Sequence, residues 1–489
     1  MKSHIKFLIR VTAFSLILFI CINTVNHILV PKFFVDDDWP YSATDVGFYE
    51  IEKNTVDVLF LGSSHAATFY IPQELYNNYG ITSYNLSSGQ QDMLTTYYWI
   101  EEALRFQHPQ VIIIETCMLF PYDTTQPLNV PEANTRKAFD YMKWSEVKVN
   151  AIKDICRIDE NQSLLSYYLP NIRYHQRWKS LNNDDFSLER ILSEKHFEMK
   201  GYISLADRYT VTGEPFESDA TVDAAEPVPV MKEYMDKIVK LCKEEGISLI
   251  LTTNPTTTPS VQKYNMLSTY AASNDIWYID FNEKNTYQDV AYNYETDNAD
   301  YVHGNIDGAI KITNYIGRLL CEQCDIADRE SEEWEQTREW YEGVKKDSYL
   351  RYVTNMDEYL SDIKDGRYTV FIATQGEINN TLNENMVMKI HDLGVKSDLL
   401  GEVQNSYVAV IGKKTIENMS SDSAGNAGML NNGRTTYEIC STGNTCSVKI
   451  NGVEYAKQSV GLNFVIYNNI TERVIDSAII GNDEERVIR

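Results

Sequence analysis

The chain has 489 residues with 44 basic and 70 acidic side chains, a formal net charge of −26. Such an acidic chain repels phosphate backbones, so a partnership with nucleic acid is not expected. Apolar residues make up 43% of the sequence, enough to bury hydrophobic cores, and this excludes wholesale disorder. Eight cysteines are too few for a disulfide scaffold in a chain of this length.

An apolar run over residues 11–30 follows three basic residues, Lys2, Lys6 and Arg10. About 20 apolar residues can cross a bilayer as one helix, and the basic flank is expected to stay in the cytoplasm. A cleaved secretory signal is the alternative, but no small-x-small cleavage site follows the run. We therefore interpret residues 1–31 as a single-pass anchor in the cell membrane, with the bulk of the chain extracytoplasmic.

Residues 55–321 alternate short apolar runs with helical patterns, which predicts an α/β fold with a parallel sheet. The predicted strands are 56–61, 82–86, 110–114, 247–252 and 276–280. The predicted helices are 71–79, 92–106, 230–245 and 308–321, with one more after Pro259. Residues 117–230 interrupt this alternation and are interpreted as a largely helical insertion in a domain covering 32–328.

A different module is predicted from residue 349 onwards, after a charged helical segment, 329–348, that we interpret as a linker. Its predicted helices are 356–363 and 382–393, and its predicted strands are 368–373, 407–411, 435–440, 447–450, 462–467 and 474–479. Asn451-Gly452 predicts a type I′ hairpin turn between two of the strands. Residues 349–489 are therefore expected to form a smaller β-rich α+β domain.

The sequence Gly62-Ser63-Ser64-His65 ends the first predicted strand. A serine at the carboxyl end of a strand, just before a helix, lies where open α/β sheets place their sites. The amides at the start of that helix can stabilise a developing oxyanion. The alternative is a serine that only caps the helix.

Asp300 and His303 lie three residues apart, just before the last predicted helix of the domain. A nucleophilic serine needs a base, and the base needs a carboxylate that orients it. A surface loop can carry such a pair by chance. The combination is more specific, because Ser64 follows the first strand while Asp300 and His303 precede the last helix, with a parallel sheet between them.

These motifs resemble the SGNH/GDSL hydrolase superfamily over residues 55–321. The resemblance implies a flavodoxin-like fold, with Ser64 as nucleophile, His303 as base and Asp300 as the acid that orients the base. Ser63 stands where the family usually has Asp. The Gly-Ser-Ser form is similar to the branch that contains the D-alanyl transfer protein of the Dlt pathway and extracytoplasmic polysaccharide O-acetyltransferases.

The resemblance also implies the oxyanion donors. The backbone of Ser64 and Gly89, which matches the family's second block, would supply two of them. The family usually has an Asn after the third strand, but Glu115 stands there, and an ionised carboxylate cannot donate. Asn254, at the end of another strand, is a candidate substitute. Three residues fit the tail of the family's His block: Asn305, Gly308 and Lys311.

Other residues are candidates for substrate contact: His65, Gln90, Glu115, His175 and Arg177. Local packing is the alternative for His65, and a plain helix surface is the alternative for His175 and Arg177. No metal is expected, because the Cys321-Glu-Gln-Cys324 pair lacks a second pair and a nearby His. No cofactor is expected either. Cys440 and Cys446 flank a short turn between predicted strands, and an oxidising compartment permits a disulfide there.

Two further comparisons bear on the fold. The stretch 62–66 nearly matches the nucleophile elbow of α/β-hydrolases, but that fold places several strands before the serine and separates its Asp from its His. In the C-terminal module, stretches 447–455 and 461–467 resemble the interleukin-like EMT inducer (ILEI) type of β-sandwich. This resemblance implies an accessory domain that binds carbohydrate or a partner.

We therefore expect a membrane-anchored, extracytoplasmic SGNH-type enzyme that transfers an acyl group, such as acetyl, to a cell-envelope polysaccharide through a Ser-His-Asp triad. A carbohydrate esterase with the same triad and a non-catalytic glycan-binding scaffold are the alternatives. The implied partners are an envelope glycan or acylated donor and a membrane-bound O-acyltransferase that feeds the acyl group across the bilayer.

Overall fold

The computed structural model describes residues 2–31, 39, 41–186, 199–324, 326, 329–376, 382–400, 406–480 and 486–489. The chain divides into two compact units, Met1–Tyr341 and Glu342–Arg489. The acidic residues 36–38, on the expected outer side of the anchor, lie outside the described residues.

The first unit begins with helix α1, Lys2–Leu29. Its segment His4–Leu29 has a mean hydropathy of 2.3 and is long and apolar enough to cross a membrane. Side chains from residues 4 to 21 are exposed, whereas Leu29 in the last turn is buried. One apolar N-terminal helix of membrane-spanning length is therefore confirmed among the described residues.

A five-stranded parallel sheet forms the centre of the first unit. Its strands are β1 Val58–Gly62, β2 Ser83–Ser87, β3 Val111–Glu115, β4 Ser248–Thr253 and β5 Trp277–Asp280. They follow the order β2-β1-β3-β4-β5, which is the order of flavodoxin-like sheets. The predicted parallel α/β sheet is confirmed, and β3 is buried along its whole length, as its β-branched sequence predicts.

Alternate side chains of the strands enter two cores, one on each face of the sheet. Leu59 and Leu61 belong to one core, and Val58 and Phe60 to the other, as the two-residue period of a strand requires. The helices of the unit are α2 Tyr41–Phe48, α3 Ser64–Phe69, α4 Pro72–Tyr79, α5 Met93–Ala103, α6 Glu132–Asp140, α7 Glu146–Ile158, α8 Leu164–Tyr168, α9 Asn171–Tyr174, α10 Pro229–Glu245, α11 Val261–Asn274, α12 Lys284–Val290 and α13 Ile306–Gln323.

The chain between β3 and β4 contains the predicted insertion. Its first part holds α6 to α9 and three short 3-10 helices: Cys117–Leu119, His175–Lys179 and Asn183–Phe186. Its later part, residues 199–228, is irregular apart from one bridge between Phe216 and Glu283. The insertion is therefore helical only in its first half, as far as the structure describes it.

Two antiparallel sheets dominate the second unit, in the orders β15-β14-β13-β6-β7-β8 and β12-β11-β10-β9. Its strands are β6 Tyr368–Gln375, β7 Ser406–Ile411, β8 Thr415–Ser420, β9 Ala424–Leu430, β10 Thr435–Ser441, β11 Cys446–Ile450, β12 Val453–Glu454, β13 Gly461–Asn468, β14 Arg473–Ile480 and β15 Val487–Ile488. Two helices, α15 Met356–Asp362 and α16 Glu384–His391, accompany them. The predicted β-rich C-terminal region is confirmed, and Asn451 and Gly452 both have positive φ, as a type I′ turn requires.

The segment predicted as a linker is part of both units. It lies in helix α14, Glu332–Leu350, and the boundary between the units falls inside this helix. In the first unit, Trp334 stacks on Tyr76 at 5.0 Å and the Tyr341 hydroxyl donates to Glu74. Aromatic residues spaced seven apart within a charged sequence thus give the helix a buried side. The segment is helical, as predicted, and its role as a linker stays a prediction.

The predicted Cys440–Cys446 disulfide is also wrong, since both residues are free thiols. In the ladder of β10 and β11, Cys440 pairs with Ser447, whereas Cys446 pairs with Ser441. Successive residues of a strand point to opposite faces of the sheet. Cys440 is therefore exposed while Cys446 is buried in the core, and a short connecting turn does not bring them together.

Candidate active site

Ser64 is the first residue of helix α3, immediately beyond the end of β1. Gly62 has φ +148°, and a Cβ there would lie 2.8 Å from the Cβ of Glu115, so the strand turns at a position that requires glycine. Ser63 is the N-cap, and its Oγ accepts a hydrogen bond from the amide of His65 at 3.2 Å. Because Ser63 caps the helix, Ser64 is not needed for capping.

The structure brings Ser64, His303 and Asp300 together. Ser64 Oγ lies 2.9 Å from Nε2 of His303, and Nδ1 of His303 lies 2.8 Å from Oδ2 of Asp300. This arrangement fixes the tautomer of a neutral imidazole, with Nδ1–H donating to the carboxylate and Nε2 accepting from the hydroxyl. A hydroxyl, a base and an orienting carboxylate thus form one hydrogen-bonded chain.

Asp300 remains ionised in this chain. Its partial burial raises its pKa, but hydrogen bonds from the His303 ring and from the amides of Val302 and His303 outweigh burial and lower the pKa to about 2. The two amides donate to Oδ1 at 2.8 and 2.9 Å, which leaves Oδ2 to the imidazole. The carboxylate is therefore available to stabilise a protonated His303.

Residues after His303 hold its loop. The side-chain oxygen of Asn305 caps helix α13 by accepting from the amides of Asp307 and Gly308, and its nitrogen donates to the carbonyl of Thr296 at 2.7 Å. Lys311 forms an ion pair of 2.6 Å with Asp297. A Cβ on Gly308 would lie 2.5 Å from the carbonyl oxygen of Asp297, so this position has room only for glycine. A structural role is thus evident for each of the three predicted residues, Asn305, Gly308 and Lys311.

Glu115 lies beneath the serines and is 1% exposed, and its predicted contact with substrate stays a prediction. Its Oε2 accepts from the hydroxyl of Ser63 at 2.8 Å, and its Oε1 accepts from the amide of Cys117 at 2.7 Å. Burial raises the pKa of Glu115 to about 7, against the opposing effect of these hydrogen bonds. Ser63 is 3% exposed and bound to Glu115, which excludes it from contact with a substrate in this structure.

His65 packs edge-on against His303, with the ring centres 5.7 Å apart. Burial, aided by repulsion from His303 when that ring is protonated, lowers the pKa of His65 to about 4, so the His65 ring is neutral at pH 7. His65, Glu115 and Cys117 also bring one ligand atom each within 4.8 Å of one another. Burial raises the pKa of the Cys117 thiol to about 12, and both Glu115 oxygens already accept hydrogen bonds. The expectation of no metal stays a prediction.

Gly89 and Gln90 follow β2. A Cβ on Gly89 would lie 3.0 Å from Nζ of Lys137 and 3.2 Å from the hydroxyl of Tyr41, so the backbone at Gly89 passes close to both side chains. Gln90 has φ +57° and donates from Nε2 to the Tyr122 hydroxyl at 2.6 Å, while its Oε1 accepts from Asn134. The side chain of Gln90 is thus bound within the chain, and its predicted contact with substrate stays a prediction.

Asn254 follows β4 and is 1% exposed. Its nitrogen donates to the carbonyl oxygen of His65 at 3.1 Å, and its oxygen accepts from the Tyr70 hydroxyl at 2.7 Å. These bonds connect Asn254 to the two ends of helix α3. One amide hydrogen remains beyond the bond to His65, and the oxyanion role of Asn254 stays a prediction.

Three residues beside the site were not found from the sequence: Trp39, Tyr41 and Lys137. The indole of Trp39 lies 5.0 Å from the ring of His303 and 5.8 Å from the ring of Tyr41. Lys137 places its ammonium group 4.6 Å from the centre of the Tyr41 ring. The sequence feature that could have indicated them is Trp39-Pro-Tyr41, soon after the predicted anchor. Its two aromatic residues belong to no helical or strand pattern, so burial in a regular element does not account for them.

His175 and Arg177 lie beside the end of helix α1. Arg177 donates to the carbonyl oxygen of Leu29 at 2.7 Å and forms an ion pair with Asp185 at 2.8 Å. His175 is exposed, and its Nδ1 lies 2.9 Å from the carbonyl oxygen of Ile172. The guanidinium of Arg177 thus binds the end of α1. The predicted contacts of Arg177 and His175 with a donor or a sugar stay predictions.

No protein-family model and no curated protein matches the sequence. The chemistry of the site is therefore inferred from its geometry. The site joins a serine hydroxyl, an imidazole and an ionised carboxylate by hydrogen bonds. In such a chain the imidazole can take the proton of the hydroxyl while the hydroxyl oxygen attacks a carbonyl carbon.

Proposed function

We propose that the first unit is an SGNH-type serine enzyme that transfers an acyl group, through an acyl-Ser64 intermediate, to a cell-envelope polysaccharide. The observation that carries the proposal is the chain of hydrogen bonds from Ser64 Oγ to His303 Nε2, 2.9 Å, and from His303 Nδ1 to Asp300 Oδ2, 2.8 Å. All five strands of the sheet are parallel, and Ser64 follows the first of them, which favours the SGNH fold over the α/β-hydrolase fold.

The proposed reaction has two halves. In the first, Nε2 of His303 takes the proton of Ser64 while Oγ attacks the acyl carbonyl, and the resulting imidazolium returns the proton to the leaving oxygen of the donor. In the second, His303 takes a proton from a glycan hydroxyl, which attacks the acyl-serine, and the proton then returns to Ser64. Asp300 stabilises the imidazolium in both halves, and the amides of Ser64 and Gly89 are the proposed donors to the oxyanion.

The position of the site relative to helix α1 supports a donor at the membrane. Seven residues separate Pro31, just beyond α1, from Trp39, which contacts His303. The eight Cα–Cα steps between Pro31 and Trp39 span at most about 28 Å when fully extended. If α1 crosses the bilayer, the proposed nucleophile therefore works close to the membrane surface, where a membrane-bound O-acyltransferase would deliver an acyl group. The second unit is proposed to bind the glycan or a partner.

Turnover of an acetyl ester by the full-length protein tests the chemistry. Removing the nucleophile or the base of such a triad costs about 10⁴-fold or more, so Ser64→Ala and His303→Ala are expected to abolish turnover. Asp300→Ala is expected to cost less, because Asp300 only orients and stabilises the imidazole. Ser63→Ala is the matched control, and we expect it to lose part of its stability through the missing cap but to remain active.

Transfer is distinguished from hydrolysis by the acceptor. With a ¹³C-acetyl donor and an envelope polysaccharide, the proposal expects new acetyl esters on the polysaccharide, detected by NMR. Free acetate alone would indicate the esterase. An inert, folded wild-type protein that resembles all of its variants would favour the glycan-binding scaffold.

A further inference from the structure

Several apolar side chains of the insertion are exposed, from Trp144, just before α7, to Trp178 in the 3-10 helix at His175–Lys179. We call this set the insertion surface, and it consists of Trp144, Leu164, Leu165, Tyr168, Ile172 and Trp178. Each of these side chains is between 43% and 66% exposed. Trp144 and Tyr168 stack on each other at 5.2 Å. Clustered apolar side chains exposed in this way usually mark an interaction surface.

The insertion surface is continuous with the end of helix α1. The amide of Asn171, in α9, donates to the side chain of Asn26 at 3.0 Å, and Arg177 donates to the carbonyl oxygen of Leu29 at 2.7 Å. Leu29 is only 7% exposed, whereas the side chains from residues 4 to 21 of α1 are exposed. The surface therefore begins where the apolar helix ends.

The composition of this region differs from that of the whole chain. Residues 164–180 contain three basic side chains and no acidic one, in a chain with a net charge of −26. Arg173 and Arg177 form ion pairs with Glu132 and Asp185, while Lys179 lies beside Trp178 and is exposed. Tryptophan and tyrosine with adjacent basic residues are the side chains that membrane–water interfaces select.

We propose that the insertion surface lies in the headgroup region of the same bilayer that α1 crosses. Trp144, Tyr168 and Trp178 insert their rings at the interface, and Lys179 faces anionic lipid headgroups. This contact fixes the orientation of the first unit on the membrane, which the single helix α1 cannot do alone. The inference rests on the proposed membrane anchoring and not on the proposed chemistry.

Quenching of tryptophan fluorescence by brominated lipid tests the contact. Full-length protein is placed in nanodiscs whose acyl chains carry bromine near the headgroup, and in matched discs without bromine. The difference in emission between the wild type and the double variant Trp144→Phe, Trp178→Phe reports these two residues. We expect bromine to remove more than half of that difference. Trp277, 39% exposed in β5, is the control, and emission assigned to it through Trp277→Phe is expected to be unchanged.

An unquenched difference for Trp144 and Trp178 would overturn the inference and leave the surface available to a protein partner. Equal quenching of all three residues would also overturn it, since the contact would not be specific. Protein that fails to enter the discs would refute the anchor and the inference with it. Ser64→Ala in the same discs is expected to give the wild-type quenching, so a failure of the proposed chemistry would not affect this result. Thermal melts monitored by circular dichroism establish that the variants are folded.

Discussion

Glu115 links the stability of the first unit to pH. Its pKa is raised from 4.5 to about 7, chiefly by burial, so the folded protein holds a proton that the unfolded chain has released in this range. The contribution of Glu115 to the free energy of unfolding therefore falls as pH rises from about 4.5 to 7. At 1.36 kcal/mol per pKa unit, the loss above pH 7 is on the order of 3 kcal/mol.

Replacing Glu115 by glutamine should remove this pH dependence. Glu115→Gln has no proton to release, so we expect its free energy of unfolding, relative to that of the wild type, to increase between pH 5 and 8. Other buried carboxyl groups titrate in both proteins, so their contributions cancel in the difference between the two free energies of unfolding. Thermal unfolding of both proteins in the same detergent, at a series of pH values, measures this difference. A difference that stays constant with pH would show that Glu115 is ionised throughout.

At the residue scale, the sequence predicted the three hydrogen-bonded residues of the candidate site better than their surroundings. Ser64, His303 and Asp300 were predictable because strand order and the Asp-x-x-His spacing place them at one edge of a parallel sheet. Trp39 could not be predicted, because its contact with His303 joins residues 264 positions apart without any periodic pattern. The burial of Glu115 was missed for a related reason, since a charged residue at a strand end reads as exposed unless its partner, Ser63, is known.

At the scale of elements, buried periodic segments were predictable and polar edges were not. The five strands of the first unit lie within two residues of the predicted ranges, because most of them are compact apolar runs and the alternation with helices places the more polar β2. Strands β8 and β9 were missed. Their side chains alternate between partly buried and exposed, and β9 contains Gly425 and Gly428, which strands usually avoid.

The two cysteines near the β10–β11 turn should differ in reactivity. Cys440 is exposed, whereas Cys446 is buried and burial raises the pKa of its thiol to about 12. Because the thiolate is the reactive form, we expect an alkylating agent at pH 8, without reductant, to modify Cys440 in the folded protein. Cys446 should react only after unfolding. Mass mapping of the peptides shows which cysteine is alkylated. A disulfide-linked pair of peptides containing Cys440 and Cys446 would contradict this prediction and support the disulfide.

At the scale of the whole molecule, the sequence indicated two folded parts joined by a charged helical segment. The charged surface of α14 concealed the side chains that it buries, so the division inside this helix could not be read from composition. The N-terminal helix was predictable, since its length and hydropathy alone define it. Its orientation is a prediction from Lys2, Lys6 and Arg10.

Protease added to intact spheroplasts tests this orientation. With the basic flank in the cytoplasm, everything beyond about residue 31 lies outside and should be digested, leaving a short fragment protected by the membrane. A tag on the N-terminus should survive, and a tag on the C-terminus should be lost. A protected C-terminal tag, or release of the intact protein without detergent, would contradict the proposed topology.

The central claim is that Ser64 is a nucleophile activated by His303, and active-site labelling tests it most directly. A fluorophosphonate reacts with an activated serine, and fragmentation of the labelled peptide distinguishes Ser64 from its neighbour Ser63. We predict a label on Ser64 in the folded full-length protein, loss of the label in His303→Ala, and retention in Ser63→Ala. A label on Ser63, or no label at all on the folded wild type, would contradict the account.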